Sequence, residues 1–319
     1  MPMPDAWRIR SACAWLVALA LWFAAAACSA AELRSVGVSL SDMGNPFFTQ
    51  IARGVEAAAR RIGGPTVKVY ATSCAYDLKR QIEQLNRFID MKVDLIVLTA
   101  VDPEAVRPVI ARARAAGIRV VAVDVVAGGV DVTVMTDNLE AGRMACKVIA
   151  ERLKGQGRIV IINGPRLSSV TERVDGCLQV LRSHPGITLL SSDRDAGGST
   201  PGGFAKMTEL LDRFPAIDAV FAINDPTALG AERAALQAGR RDFFFVSVDG
   251  SPSVVARMHS GASLIAASVA QRPALQAERA VDIGFALLGG APPPANPTIL
   301  IAPFIVTPGT TKWPEGAWR

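Results

Sequence analysis

The sequence predicts an α/β protein of two similar, doubly wound parallel-sheet lobes, and three observations carry that prediction. From Ser35 onward, short β-branched runs alternate with longer stretches whose apolar residues recur at helical period. The alternation comes in two successive series, with no long Pro/Gly linker between them, so the lobes should be joined by tight crossings. At 319 residues, half of them hydrophobic, the chain suits two domains of about 150 residues.

The first series opens with Ser35–Leu40, a run short enough for a buried strand, followed by Phe48, Ile51, Val55, Ala59 and Ile62 on one helical face. Val67–Thr72 with the stripe Leu78, Ile82, Leu85 and Ile89 repeats the unit, and Leu95–Thr99 with a helix over Glu104–Ala116 repeats it again before Val120–Val123. Parallel strands need a crossover between them, and each helix supplies one, so the pattern specifies a sheet covered on both faces. A helix over Asn138–Lys154 opens the second series, with strands at Arg158–Asn163, Thr188–Ser191, Ala219–Ile223 and Phe243–Val248. Helices over Val170–Arg182, Gly203–Phe214, Pro226–Ala238 and Pro252–Ser260 separate them. Pro292, Pro293, Pro294 and Pro297 make a stiff connection to a last apolar segment, Thr298–Val306.

Residues 1–31 differ in kind. Arg8 and Arg10 precede an apolar run from Ala12 to Ala27 and then the small residues Cys28, Ser29, Ala30 and Ala31, the three zones of a secretory signal peptide. The run is shorter than the roughly 20 residues a membrane-spanning helix needs. Cleavage after Ala30 or Ala31 would place the mature protein in the periplasm. Ala25, Ala26, Ala27 and Cys28 make a poor lipobox, so lipid anchoring at Cys28 is the minor alternative. With Cys13 and Cys28 removed, Cys74, Cys146 and Cys177 remain in an oxidising compartment. Cys146–Cys177 is the expected disulfide, because both fall mid-helix on the two helices flanking the first strand of the second lobe, side by side in this topology. Cys74 is expected to be free.

Composition excludes several function classes. Lys plus Arg number 34 against 29 Asp plus Glu, and basic residues such as Arg107, Arg112, Arg114 and Arg119 are scattered along helical stretches as solvated faces, so no nucleic-acid partner is expected. His184 and His259 have no Cys, His or acidic partner at metal-ligand spacing, which argues against a zinc site or a His-based catalytic centre. No G-x-S-x-G, Walker A or dinucleotide fingerprint occurs, and Gly155-Gln156-Gly157 lies between a helix and a strand, the reverse of a phosphate loop. Neither an enzymatic activity nor a cofactor is expected.

Five local signatures then carry a resemblance. They are Asn45-Pro46-Phe47-Phe48 after the first strand, Val123-Asp124 ending the fourth, Thr136-Asp137-Asn138 at the first crossing, Asn224 through Gly230, and Val248-Asp249-Gly250-Ser251-Pro252. Arg173 with Gly176 and the pair Ala270-Gln271 add two more. In this order the chain resembles the ribose-binding-protein group of type I periplasmic binding proteins, over about Ser35 to Pro308. That fold is shared with the ligand domain of lac-repressor-like regulators. The resemblance implies a multi-strand hinge, with residues 33–136 and 272–301 in the N-terminal lobe and 137–271 and 302–310 in the C-terminal lobe. It implies a monomeric binding component of an ABC importer, closing on a monosaccharide or sugar alcohol and docking on the permease and its ATPase at the inner membrane.

The resemblance also implies a ligand set: Asn45, Phe47, Phe48, Asp124, Arg173, Asn224, Asp249 and Gln271. The residues themselves agree, since Asn45, Thr99, Asp124, Asn163, Asn224 and Asp249 lie at or just beyond the carboxyl ends of predicted strands, where open parallel sheets bind ligands. Thr99 joins the candidate set on that ground. Planar Asn, Asp, Arg and Gln groups can each grip adjacent hydroxyls, and aromatic faces suit the C–H surface of a sugar. Simpler roles compete. Asn45 before Pro46 has the form of a helix N-cap, Asp225 reads as another, and Asp137 with Asn138 as a third. Phe47 and Phe48 could be core, although adjacent residues cannot share one helical stripe, so one of them is expected to meet ligand. Arg173 between Glu172 and Asp175 could be a surface ion pair. Asp124 and Asp249 end nearly all-apolar strands, where an uncompensated carboxylate is costly, and ligand contact is favoured for both.

Two other functions stay open: a ligand sensor for a chemoreceptor or histidine kinase, and a lac-repressor-like regulator. The regulator would need a helix-turn-helix where this chain carries its leader. Departures from the ribose pattern bear on specificity. Asp124 is followed by Val125 instead of Arg, the third strand ends in Thr99 instead of Asn, and the second-lobe aromatic near Gly197–Gly203 is replaced by glycines. These changes predict a roomier pocket with fewer donors, and weak or absent ribose binding.

Overall fold

The computed structural model describes residues 32–314 and 316–318; the expected leader, its cleavage site and Cys28 lie outside the described residues. The first series folds as β1 (Ser35–Leu40), α1 (Pro46–Gly63), β2 (Lys68–Ser73), α2 (Leu78–Asp90), β3 (Leu95–Leu98), α3 (Arg107–Ala115), β4 (Arg119–Val123) and β5 (Val132–Thr136). The second follows as α4 (Asn138–Arg152), β6 (Gly157–Asn163), α5 (Ser168–Arg182), β7 (Ile187–Asp195), α6 (Thr200–Arg213), β8 (Ala219–Ala222), α7 (Asp225–Gln237), β9 (Phe244–Asp249), α8 (Pro252–His259) and β10 (Ile265–Ala270). The chain ends with α9 (Pro273–Leu288), β11 (Thr298–Ile301) and β12 (Phe304–Val306).

The strands form two six-stranded sheets, ordered β11-β5-β4-β3-β1-β2 and β12-β10-β9-β8-β6-β7. Every pair is parallel except β10–β12. Central strands such as β3 and β8 are buried at every residue, which is why they read as unbroken apolar runs instead of alternating ones. The chain passes between sheets at Thr136–Asn138, Ala270–Pro273 and Ile301–Phe304. The first two passages run through β5, β10 and α9; β10 is mostly small residues, and in α9 alanines and a glycine dilute the stripe. The third helix is shorter than its periodicity suggests, because Asp102 accepts from the Glu104 and Ala105 amides, at 2.9 Å each, and holds a separate turn ahead of it. Conversely, β7 runs four residues past Ser191, to Asp195.

Helix starts position the loops that matter. Asn45, Asp77, Asp137, Ser199, Asn224 and Ser251 each cap a helix by accepting a backbone N–H, and α1, α6, α7 and α8 carry proline in the first turn. In the second lobe, α4 and α5 pack in near backbone contact. A Cβ on Gly142 would fall 2.0 Å from the Arg173 carbonyl oxygen, and one on Gly176 would fall 2.0 Å from that of Leu139, so only glycine permits the approach. A disulfide joins Cys146 on α4 to Cys177 on α5, and Cys74 is a buried free thiol. Among the described residues no helix is long and apolar enough to cross a membrane, and no His/Cys/Asp/Glu cluster could hold a metal.

Candidate ligand site

The cleft is assembled from strand ends of both sheets. On the first-lobe side, Asn45 Oδ1 accepts the Phe47 N–H at 3.0 Å and Pro46 starts α1, which brings both phenylalanine rings to the cleft. Both are buried, and they meet edge to face with centroids 5.4 Å apart. The expectation that adjacent residues cannot both face inward therefore fails here. In the first turn of a helix pointing at the cleft, one side of the helix meets the core and the end meets the opposite lobe.

β4 stops at Val123, and the next residue, Asp124, takes a φ of +69°; Asp249, the last residue of β9, takes +131°. Non-glycine residues adopt such angles at a cost, and strain of this kind is commonly held at functional sites. Both carboxylates line one chamber with Asn45, Phe47, Phe48, Arg173, Asn224 and Gln271. The chamber encloses about 40 Å³, and an adjoining one of about 360 Å³ shares Asn45, Gly198 and Asp249 with it. Gly198, in the glycine loop, borders both spaces.

Arg173 supplies the cation. It is buried rather than paired at the surface: Nε donates to Asn138 Oδ1 at 2.9 Å, Nη1 donates to the Ile223 carbonyl at 2.9 Å, and Asp249 Oδ1 lies 3.9 Å from Nη1. Gln271 Nε2 donates to Asp249 Oδ1 at 2.8 Å, and Thr136 Oγ1 donates to Gln271 Oε1 at 2.7 Å. Asn138 Nδ2 closes the ring by donating to the Thr136 carbonyl at 3.0 Å. Thr136 and Asn138 lie at one crossing and Gln271 at another, so site and hinge share one circuit of hydrogen bonds closed by the Arg173–Asp249 ion pair. Asp137, and not Asn138, caps α4, by accepting the Glu140 N–H at 2.9 Å.

Burial dominates the electrostatics. It pushes the Asp124 carboxyl up to about 6, with Arg173 pulling the other way. Asp249 is raised by burial and then by the neighbouring Asp225 carboxylate, against Arg173 and the Gln271 amide. Asp225 is not the cap its position suggested. Asn224 caps α7 by accepting the Thr227 N–H at 3.0 Å, and its Nδ2 donates to the Gly198 carbonyl at 2.9 Å. Asp225, fully buried, accepts from Ser247 Oγ at 2.5 Å and from Ser268 Oγ and the Ser251 N–H at 2.6 Å each. It fixes the loops behind Asp249.

Thr99 is not brought to the chamber. Its Oγ1 accepts the Ser41 N–H at 2.7 Å and lies 2.9 Å from Ser41 Oγ, so it ties the end of β3 to the loop after β1. Val125 does not line the chamber either and is buried in a hydrophobic cluster. Two of the three grounds for expecting altered specificity therefore lie away from the chamber. Asn163 also serves locally, donating to the Ser192 carbonyl at 2.9 Å and accepting the Gly164 N–H. Sequence reasoning missed Tyr76 and Leu167, which line the chamber. Tyr76 lies just past β2 and obeys the same carboxyl-end rule; burial, then the nearby carboxylates, keep its phenol protonated.

A family model described as a periplasmic binding protein domain matches residues 36–292. The ribose import binding protein of Bacillus subtilis is 30% identical over 260 residues, covering 80% of this chain and 82% of that protein. The xylitol-binding protein of Mycolicibacterium smegmatis is 31% identical over 234 residues, covering 72% of this chain and 66% of that one. A solved ABC transporter solute binding protein from Agrobacterium vitis, with bound allitol, superposes at a TM-score of 0.78 and 26% identity, covering 86% of this chain and 96% of its own. With two parallel-sheet lobes and a charged cleft at their strand ends, the chain belongs to the periplasmic binding protein family, whose members bind solutes and are not enzymes.

Proposed function

We propose that this chain is the periplasmic binding component of an ABC importer and that it holds a monosaccharide or sugar alcohol between its lobes. One observation carries the reading: two strand-ending carboxylates, a buried guanidinium, amide side chains and aromatic rings converge on one chamber between the sheets. Carboxylates and amides accept and donate to adjacent hydroxyls, the guanidinium donates in a fixed plane, and the rings cover C–H faces. The named ligands of the relatives, ribose, xylitol and allitol, are of this class. Asn45, Phe47, Phe48, Asp124, Arg173, Asn224, Asp249 and Gln271 form the ligand set in this proposal.

Contacts divided between two lobes favour the closed form only when a ligand bridges them, so binding drives closure at the crossings near residues 136/137, 271/272 and 301/302. Export through residues 1–31 and docking of the closed form on a membrane permease complete the reading. A thermal-shift screen of unfolded and refolded protein against D-ribose, D-allose, D-arabinose, xylitol, allitol and myo-inositol tests it. A ligand at a hundredfold excess over its Kd adds about 2.7 kcal/mol, a rise of several degrees at roughly 2–4 °C per kcal/mol. No shift with any of the six would overturn the proposal.

A further inference from the structure

The rings lining the polar chamber, Phe47, Phe48 and Tyr76, come from the first lobe alone. The second lobe contributes aliphatic surface there, such as Leu167, Val170 and Ile223, and the loop at Gly198 offers no side chain. A sugar in this site would meet aromatic surface from one lobe only.

The end of the chain brings a further ring. Beyond β12, Trp313 packs edge-on against Phe304, centroids 5.9 Å apart, within the second-lobe cluster. Trp318 packs instead against the first-lobe cluster, its ring 6.2 Å from that of Phe47 and inclined by 60°. Its Nε1–H donates to the Asp249 carbonyl at 2.6 Å. One indole therefore touches a residue of each lobe, both residues line the polar chamber, and the indole itself lines the adjoining 360 Å³ space with Asn45, Gly198 and Asp249. The segment is fastened in place. Ala317 is buried, and Gly316 sits at a φ of +71° so close to α9 that an added Cβ would lie 2.7 Å from Leu275 Cβ.

We infer that Trp318 is a specificity-determining residue of the cleft, whose indole packs on the C–H face of the bound sugar or polyol. The inference rests on the proposed function. An indole whose N–H is already bonded to Asp249 keeps its π-face for a ligand, and such a face suits the weakly positive C–H groups of a carbohydrate. The tail thereby completes, from outside both sheets, an aromatic wall that the second lobe lacks.

The sequence makes this testable, because Trp313 and Trp318 are the only tryptophans after residue 31. In exported Trp313→Phe protein, Trp318 emission should shift on addition of whichever of D-ribose, D-allose, D-arabinose, xylitol, allitol and myo-inositol binds by calorimetry, saturating with the calorimetric Kd. Trp318→Ala should weaken that probe by about tenfold or more, and Trp318→Phe, which keeps a ring but loses the N–H, by less than about threefold. Unchanged affinity in Trp318→Ala would overturn the inference. So would a Trp318→Phe variant as weak as Trp318→Ala, since the indole would then only latch the lobes together. If Trp318→Ala fails to fold, the emission shift and the Phe variant decide. Calorimetric binding without any Trp318 response overturns the inference and leaves the proposed function standing, whereas no binding of any probe to wild type overturns both.

Discussion

The two lobes bring opposite chemistries to the cleft. The first presents Phe47, Phe48 and Tyr76 with the Asn45 amide and the single carboxylate of Asp124, the two phenylalanines being held by packing and by the helix cap at Asn45. The second presents Arg173, Asp249 and Gln271, linked to one another and to the crossings by hydrogen bonds and the Arg173–Asp249 ion pair, together with Asn224, which is bonded to the Gly198 carbonyl. A polar group fixed by several bonds cannot be replaced by one of similar size without leaving a buried partner unsatisfied, whereas a ring can exchange for another apolar side chain at modest cost. The second-lobe face should therefore be intolerant of substitution and the first-lobe face forgiving. Four experiments can break that contrast.

The largest effect is expected from Arg173→Met. It removes the buried cation from beside Asp249 and leaves Asn138 Oδ1 and the Ile223 carbonyl without their donor, which should cost about 3–5 kcal/mol in urea unfolding and abolish sugar binding in calorimetry. A loss below about 1 kcal/mol would mean that water satisfies the freed acceptors. Next comes the staple that only the second lobe carries. Replacing both Cys146 and Cys177 with alanine opens a loop of sequence separation 31, for which chain entropy gives about 3–4 kcal/mol. Only the second-lobe transition should move if the lobes melt separately. Two reactive thiols at these positions in unreduced, denatured wild-type protein would refute the bond.

Asp249→Asn should weaken ligand binding by about 1–3 kcal/mol, the cost of leaving a buried hydrogen-bonding partner unsatisfied. It should also change the pH profile in a defined direction. With its native pKa raised above the ordinary carboxylate value, Asp249 keeps a proton that the unfolded chain releases, so the unfolded state binds fewer protons and stability falls as pH rises. Asp124 contributes the same sign from its ordinary value up to about 6. Ligand-free wild type should thus lose Tm as pH rises through these values, and Asp249→Asn should lose less; equal slopes would show that Asp249 is not the titrating group. The smallest effect is expected on the first-lobe face, where Phe47→Leu should lower affinity by about 0.5–1.5 kcal/mol with near-normal stability. A larger loss than that of Asp249→Asn would reverse the contrast.

Much of the fold is legible in the sequence because buried parallel strands are unbroken apolar runs and their crossover helices carry a stripe. The rule that ligands gather at carboxyl strand ends brings Asp124, Asn224 and Asp249 to one chamber, but it does not tell which way a side chain turns once the strand has ended. Thr99 satisfies the rule and turns to Ser41, while Tyr76 satisfies it and lines the chamber without having stood out. Capping was legible to within one residue only: the Asn224-Asp225 pair contains one cap and one buried acceptor, and the hydrogen-bond partners that separate them lie 22 to 43 positions away. Trp318 had no local signal at all, since nothing in a tail of mixed composition says which lobe it will touch.

The circuit through Thr136, Gln271, Asp249, Arg173 and Asn138 has a thermodynamic consequence. Residues at two lobe crossings are bonded directly to the groups that would grip a solute, so the inter-lobe angle and the occupancy of the cleft are two readings of one equilibrium. Linkage then makes the relation reciprocal. Any surface that prefers one angle must change the affinity for solute by the same factor by which solute changes the affinity for that surface. A substitution at Thr136, which does not itself line the chamber, should therefore act on release as much as on capture.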